Sequence, residues 1–193
     1  MTGLAEKYAW FADYESNTYC LTIVRNCSQS EVLRRLGADG VREMSDMVAV
    51  WQETQEVEDP TSVVAVAAVG NHVLLFEPHG WRGATREVAE GISKGTVLVS
   101  HVSTINGDTR FIWAEDGVVQ AEFELQSHWD IAGARAGQMG SMLVEAGFLD
   151  RESGLTDDSD VYLPAAMALA EMITEVRISL EILDNSQYLC ATF

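Results

Sequence analysis

The sequence predicts an α+β fold, with a mostly antiparallel sheet of about six strands and helices packed on one face. Three observations lead to this fold class: β-branched apolar runs fill the middle of the chain, tight-turn pairs separate several of them, and segments of helical period lie before and behind. The chain has 193 residues and is 47% hydrophobic, enough to bury a substantial core. We therefore expect a single α+β domain over residues 1–193.

Helix and strand signals alternate in the first part of the chain. Residues 4–14 carry aromatic side chains at helical spacing, whereas 18–25 are β-branched and aromatic, as is typical of a strand. Ser28 and Glu31 form a capping box, which predicts a helix that ends at Gly37.

The next strands are apolar on both faces. A helical period at 44–51 and an acidic connector come first, and the apolar runs 63–69 and 72–77 follow. Gly70 and Asn71 lie between these runs, as in a tight hairpin. Because neither run alternates with polar residues, we expect both strands in the middle of the sheet.

One helix and three more strands complete the predicted sheet. Thr85 can cap a helix that is ended by Gly95. The strands are predicted at 96–104, 109–114 and 118–125. Asp116 and Gly117 give the strongest hairpin signal in the chain, and the strand after them alternates apolar and polar residues, so one of its faces should be wet.

Beyond residue 126 the chain is predicted to be helical or irregular. Residues 150–160 are polar and acidic, as in an exposed loop, and Pro164 suits the first position of a helix that keeps its period to Val176. Residues 157–160 contain the first acidic ligands of a calcium loop, but the Gly and the closing Glu of that motif are missing. A solvated loop is therefore expected there.

The charge balance is strongly acidic. Thirty acidic and twelve basic residues give a formal net charge of −18, which argues against unaided binding to nucleic acid or to an anionic membrane. Residues 1–113 have a net charge of −6, and the acidic C-terminal portion from 114 to 193 has −12. Its carboxylates could steer a basic protein or act only as a solubility coat. They lie on a hairpin and a loop: Glu115, Asp116, Glu122, Glu124, Asp150, Glu152, Asp157, Asp158 and Asp160.

The sequence contains no signal for export, a membrane span or a metal-binding cysteine cluster. The N-terminus has neither a basic region nor an apolar core, so a cytoplasmic location is expected. The three cysteines are odd in number and form no C-x-x-C pair, which predicts reduced thiols. We expect no cofactor and no metal.

Four stretches resemble a family of actinobacterial proteins known only as a domain of unknown function: YCLTIVR, SEVLRRLGAD, VLLFEPHGWRGATREV and TRFIWAEDG. The resemblance covers residues 8–180. Glu77, Gly80 and Trp81 match the family pattern, and His79 stands where an Asn is usual. The resemblance implies a single domain in an actinobacterial cytoplasm, and it transfers no activity and no catalytic residue.

The usual catalytic motifs are missing from the sequence. There is no G-x-S-x-G elbow, no phosphate-binding loop of the form G-x-x-x-x-G-K-[ST] and no G-x-G-x-x-G turn. Their absence lowers the expectation of an enzyme without removing it, because triads assemble from distant residues. His101, on a predicted strand, is more typical of a partly buried imidazole bonded to backbone than of a general base.

The loop 77–83 is the most promising candidate site. Gly80 and Gly83 free its backbone, Trp81 offers a large apolar plate, and Arg82 a planar cation, a combination used in partner recognition. The alternative is a loop whose Trp81 caps the core. Glu77 and His79 supply two metal-type ligands, fewer than the three or four of a zinc site.

Two functional hypotheses follow from these residues. The first is a non-enzymatic, immunity-like or regulatory module that docks a basic protein, using the acidic half with Glu122 and Glu124. The second is an accessory enzyme or small-molecule-binding protein with a pocket near the 77–83 loop, using Glu77, His101 or Arg110 as polar groups. A nucleic-acid mimic is a third, less developed hypothesis.

Overall fold

A computed structural model of the protein describes residues 3–12, 14, 18–148 and 159–192. The strands are β1 (Tyr19–Val24), β2 (Asp39–Met44), β3 (Val63–Val69), β4 (His72–Glu77), β5 (Val97–Ser103), β6 (Thr109–Glu115), β7 (Val118–Phe123) and β8 (Tyr188–Thr192). The α-helices are α1 (Ala9–Ala12), α2 (Gln29–Leu36), α3 (Met47–Glu56), α4 (Arg86–Ile92), α5 (Met139–Ala146), α6 (Ser159–Thr174) and α7 (Leu180–Asn185). None of the described helices combines the length and the apolar character that a membrane crossing requires.

All eight strands form one antiparallel sheet in the order β2-β8-β3-β4-β1-β5-β6-β7. The predicted α+β class and antiparallel sheet are confirmed, but the strand number is larger than the six expected. The two additional strands are β2 and β8. β2 is almost fully exposed at the sheet edge and lacks an alternating apolar pattern, and β8 is only five residues long.

Helices cover both faces of the sheet, which corrects the expectation of helices on one face. One core layer packs the sheet against α1, α3, α5, α6 and α7, and the other packs it against α2 and α4. The cause is visible in β3 and β4, whose side chains are buried in both layers. A sheet that is apolar on both faces must be covered on both faces.

Helix α2 follows its predicted boundaries. The Ser28 hydroxyl accepts the backbone N–H of Glu31 at 3.3 Å, and Gly37 ends the helix in the left-handed conformation with φ of 69°. The Glu31 carboxylate does not return to Ser28, as a full capping box requires, but binds Arg34 and Arg35. The sequence therefore predicted the ends of this helix correctly and the partner of Glu31 incorrectly.

The beginning of α6 differs from its prediction. Pro164 lies inside the helix, which already begins at Ser159. The polar residues before Pro164 favoured a loop, yet the helix begins ahead of the proline. Because proline has no backbone N–H, the helix lacks one hydrogen-bond donor near its start. The acidic residues Asp150, Glu152, Asp157 and Asp158 of the predicted loop lie outside the described residues.

Candidate binding cleft

A cleft of about 610 Å³ opens at one end of the sheet. Because neighbouring strands are antiparallel, the beginnings of β1 and β6 lie at the same end as the C-terminal ends of β4, β5 and β7. The loops at this end supply the walls. We call this site the Trp81 cleft, and its lining includes Thr18, His79, Trp81, Val102, Ile105, Asp108, Arg110 and Glu124.

Two large apolar side chains border the Trp81 cleft and are open to solvent. Trp81 is 52% exposed and Ile105 is 81% exposed. Trp81 therefore does not cap the core, which was the structural alternative for this residue. The sequence singled out Trp81, whereas Ile105 was not predicted as a site residue.

The turn between β5 and β6 accounts for the exposure of Ile105. The amide of Gly107 donates to the carbonyl of Thr104, and the amide of Thr104 donates to the carbonyl of Asp108, both at 2.9 Å. Gly107 has a φ of 83°, which glycine adopts without strain. Asn-Gly is a typical tight-turn pair, so Asn106-Gly107 is the sequence signal that could have placed its neighbour Ile105 on the surface.

Charged and aromatic groups complete the cleft wall. Arg110 Nε lies 3.9 Å from a carboxylate oxygen of Glu124, and both side chains are about half exposed. His79 packs edge-to-face on Trp51 of α3, with ring centroids 5.3 Å apart. Four predicted site residues thus meet in one cleft: His79 and Trp81 come from the loop 77–83, and Arg110 and Glu124 come from two later parts of the chain.

Glu77 lies beneath the loop rather than in the cleft wall. Its side chain is 1% exposed, and its two carboxylate oxygens accept the backbone N–H groups of Arg82 at 2.9 Å and of Gly83 at 2.7 Å. Burial raises the pKa of Glu77, and the hydrogen bonds from the Gly83 and Arg82 amides oppose that rise. Arg82 follows Trp81 on the exposed side of the same loop.

A small polar cluster surrounds the Glu77 carboxylate between β1 and β5. The Thr22 hydroxyl donates to Ser100 Oγ at 2.7 Å, and Cys20 Sγ lies 3.3 Å from the same oxygen. Burial raises the pKa of the Cys20 thiol well above its usual value, and the nearby Glu77 charge adds to the effect. A buried thiol of raised pKa is a poor nucleophile.

Gly80 and Gly83 permit close approach rather than unusual backbone angles. A Cβ at Gly80 would lie 2.5 Å from a carboxylate oxygen of Glu77, and one at Gly83 would overlap the Thr22 hydroxyl. Neither glycine has a positive φ. The expectation that they free the backbone is therefore wrong: they let the loop lie directly on the polar cluster.

His101 lies on the opposite side of the sheet from the Trp81 cleft. It is fully buried in the layer of Phe11 and Tyr19, and its Nδ1 lies 3.0 Å from the Tyr19 hydroxyl. The predicted backbone partner is thus replaced by a tyrosine. Burial lowers the pKa of His101 to about 3, so the imidazole is neutral near pH 7.

The acidic hairpin formed by β6 and β7 is largely neutralised within the chain. Glu122 pairs with Arg86, Glu115 pairs with Arg135 at 3.2 Å, and Asp116 accepts the backbone N–H of Gly95. Glu124 faces Arg110. The hairpin therefore differs from the open acidic surface that the sequence suggested.

The described part of the chain holds no group of three or more His, Cys, Asp or Glu side chains that could bind a metal ion. Glu77 and His79, the two metal-type side chains of the loop, do not face a common site: Glu77 is buried under the loop, whereas His79 packs on Trp51. The Trp81 cleft presents exposed apolar side chains beside one pair of opposite charges.

Comparison with known proteins gives one match. The model of a family of unknown function, DUF6461, matches residues 1–193. No curated protein and no solved structure matches the chain.

Proposed function

Since the chain belongs to the DUF6461 family, whose function is unknown, we propose from the geometry that the protein is a non-enzymatic binding module. Its partner is a basic protein that docks in the Trp81 cleft. An immunity-like or regulatory role, in which this chain neutralises or controls its partner, fits such a module.

The observation that carries the proposal is the exposure of Trp81 and Ile105 on one cleft. Leaving large apolar surface in water is unfavourable, and a concentrated patch of it marks interaction sites. Tryptophan is also one of the residue types enriched among the side chains that dominate binding energy at protein interfaces. The Arg110–Glu124 pair at the rim adds a donor and an acceptor for orientation.

The net charge supports a basic partner. A charge of −18 attracts cationic proteins over a distance of about one Debye length and accelerates their encounter. Because the hairpin carboxylates are engaged within the chain, this attraction belongs to the field of the whole molecule. Contacts in the cleft then set the lifetime of the complex.

The positions of the candidate catalytic groups support a binding role over an enzymatic one. A nucleophile and its base must lie within hydrogen-bonding distance of each other and of the substrate. Cys20 and Glu77 are buried under the loop, and His101 lies in the other core layer. None of these groups reaches the Trp81 cleft.

The proposal is tested by differential capture of partners with three variants. Tagged wild-type protein, Trp81→Ala and Ile105→Asp are incubated with lysate of the source cells at about 50 mM and about 500 mM salt, concentrations that span the Debye screening range. Val144→Asp is the matched control, because Val144 is 67% exposed and lies on α5, away from the cleft. Bound proteins are identified by mass spectrometry, and the binding of each is then measured by calorimetry with purified protein.

We expect wild-type protein and Val144→Asp to capture one protein of high pI in stoichiometric amount at low salt and less of it at high salt. Both cleft variants should fail to capture this protein. Each cleft substitution should weaken binding by about tenfold or more, as central interface residues do. Equal capture by Ile105→Asp and Val144→Asp would contradict the cleft as the docking site. Capture that salt does not change would contradict a partner chosen by charge.

A small molecule is the second candidate ligand, and the size of the cleft favours it. A volume of about 610 Å³ falls within the range of ordinary small-molecule sites. Native mass spectrometry of protein purified from its source cells should then show a bound metabolite that is missing from Trp81→Ala. The same spectra without any additional mass would favour the protein partner. The actinobacterial origin and cytoplasmic location stay predictions of the sequence.

A further inference from the structure

We propose that Glu77 is a positioning residue for the Trp81 cleft: its buried carboxylate fastens the loop 78–84 to the sheet and thereby sets where the Trp81 side chain stands. The consequence for binding rests on the proposed function. The placement of Trp81 does not, and it can be measured without any partner.

The first argument is the pair of hydrogen bonds that follow Trp81 along the chain. Glu77 Oε2 accepts the Arg82 amide at 2.9 Å, and Oε1 accepts the Gly83 amide at 2.7 Å. The carbonyl of Trp81 accepts the Ala84 amide at 3.1 Å, which closes a single 3-10 turn over Arg82–Ala84. The Glu77 side chain therefore fixes the backbone that directly follows Trp81.

The second argument is the close packing on both sides of Trp81. At Gly80, a Cβ would lie 2.5 Å from Glu77 Oε2 and 3.2 Å from the carbonyl oxygen of Thr61. At Gly83, a Cβ would meet the hydroxyl of Thr22, Oε1 of Glu77 and the thiol of Cys20. The loop thus touches the sheet directly before and after the residue that it presents.

The third argument is the burial of the carboxylate. Glu77 is 1% exposed, and a buried carboxylate without donors is strongly unfavourable. Two of the groups that stabilise it, the Arg82 and Gly83 amides, belong to the loop, and the charge of Arg82 and the thiol of Cys20 add to them. Carboxylate and loop therefore depend on each other, so changing the acceptor should release the loop.

The test replaces Glu77 by Gln, which keeps the size of the side chain but turns one of the two acceptor oxygens into a donor. In the place of the carboxylate, the Gln amide presents one oxygen and one NH2 group, so one of the two backbone N–H groups faces a donor instead of an acceptor. Ser100→Ala is the control, because it removes a partner of Thr22 and Cys20 from the same buried cluster and leaves both loop hydrogen bonds intact. A general loss of packing would affect both variants, whereas loss of positioning would affect only Glu77→Gln.

The readout is the environment of Trp81 itself. The five tryptophans are labelled with 5-fluorotryptophan, and the ¹⁹F resonance of Trp81 is assigned by its loss in Trp81→Phe. In Glu77→Gln this resonance should shift and sharpen towards that of the free amino acid, while the Trp10 and Trp113 resonances stay in place. Ser100→Ala should leave the Trp81 resonance unchanged. An unchanged Trp81 resonance in folded Glu77→Gln would overturn the proposal.

A measurement on the wild-type protein keeps the proposal testable if Glu77→Gln does not fold. The amides of Arg82 and Gly83 should exchange with deuterium about 100-fold more slowly than the amide of Asn106, in an exposed turn, because opening the loop requires breaking its bonds to Glu77. Unprotected Arg82 and Gly83 amides would overturn the proposal.

The outcomes separate this inference from the proposed function. If Trp81 moves in Glu77→Gln and no partner is lost with Trp81→Ala, then Glu77 positions the loop and the docking function is wrong. If Trp81→Ala loses the partner but Trp81 stays in place in Glu77→Gln, then the docking function stands and the role of Glu77 is wrong. With both correct, Glu77→Gln weakens partner binding by about tenfold, comparable to the loss of an interface hot spot.

Discussion

Trp81 and Glu77 lie in the same loop and have opposite environments. Trp81 is 52% exposed, and Glu77 is 1% exposed. Residue type favoured the reverse arrangement, because tryptophan is usually well buried and glutamate is usually exposed. At the residue scale, the local surroundings decided burial. Two backbone amides bind the Glu77 carboxylate and allow it to be buried, whereas the Trp81 indole faces solvent.

His101 gives a prediction about acid stability. Its pKa is lowered to about 3 by burial, whereas an unfolded histidine titrates near 6.5. Between these values the unfolded chain binds a proton that the folded chain does not, so stability falls as pH falls through this window. Between pH 6 and pH 5, wild-type protein should lose roughly 1 kcal/mol more free energy of unfolding than His101→Gln.

The His101 prediction is measured by urea unfolding at pH 7, 6 and 5. Gln is a suitable replacement because its amide can keep a hydrogen bond to the Tyr19 hydroxyl and does not titrate. Parallel curves for wild type and His101→Gln would contradict the assignment of this pH dependence to the buried imidazole.

At the scale of elements, a local irregularity in β7 breaks the alternation of buried faces that its sequence predicts. Residues 118–125 alternate apolar and polar side chains, which predicts that Val119 and Ala121 share one face. The partners of the consecutive β6 residues Trp113 and Ala114 are Ala121 and Val119, so Gln120 is the extra residue of a bulge in β7. As a result, Val119 packs in the layer of α2 and α4, whereas Ala121 packs in the opposite layer.

The end of α6 contains an unfavourable backbone conformation that can be relieved. Glu175, directly after the helix, has a φ of 61°, a position where glycine is normal. Its carboxylate makes an exposed ion pair with Arg25 at 3.3 Å. Relief of the left-handed conformation should raise the free energy of unfolding by about 1 kcal/mol, which is more than most surface ion pairs contribute. Glu175→Gly should therefore be more stable than Glu175→Ala, with a melting temperature higher by about 3 °C.

Calorimetry of the two Glu175 variants checks this prediction, because both lose the ion pair and only one relieves the backbone. An equal or higher melting temperature for Glu175→Ala would show that the backbone conformation at residue 175 costs little.

At the scale of the whole molecule, charge repulsion opposes compactness. The net charge of −18 is partly compensated by ion pairs such as Arg86–Glu122 and Arg135–Glu115, but the excess carboxylates repel one another. Salt screens this repulsion. Raising NaCl from about 0.05 M to about 0.5 M should stabilise the fold by roughly 1 kcal/mol, or about 3 °C in melting temperature.

Thermal unfolding at pH 7 and at pH 5 tests the charge prediction. The sequence pI is about 4.4, so the net charge and its repulsion are smaller at pH 5 and the salt effect should shrink. A melting temperature that is independent of salt at pH 7 would mean that the ion pairs already balance the charge.

Local patterns in the sequence were sufficient to predict the α+β class, the central position of β3 and β4, the ends of α2 and the hairpin turns. These features depend on neighbours within a few residues, through side-chain periodicity, capping and turn chemistry. The same patterns also selected the loop 77–83, because its glycines, Trp81 and Arg82 are adjacent.

Tertiary structure decided the rest. The antiparallel sheet brings together three separate parts of the chain at one end of the molecule: the loop with His79 and Trp81, the β5–β6 hairpin with Ile105 and Arg110, and Glu124 after β7. The same sheet places β8 between β2 and β3 and carries His101 to the face opposite the cleft. Contacts between distant residues depend on strand order and register, which are set by packing of the whole chain rather than by local preference.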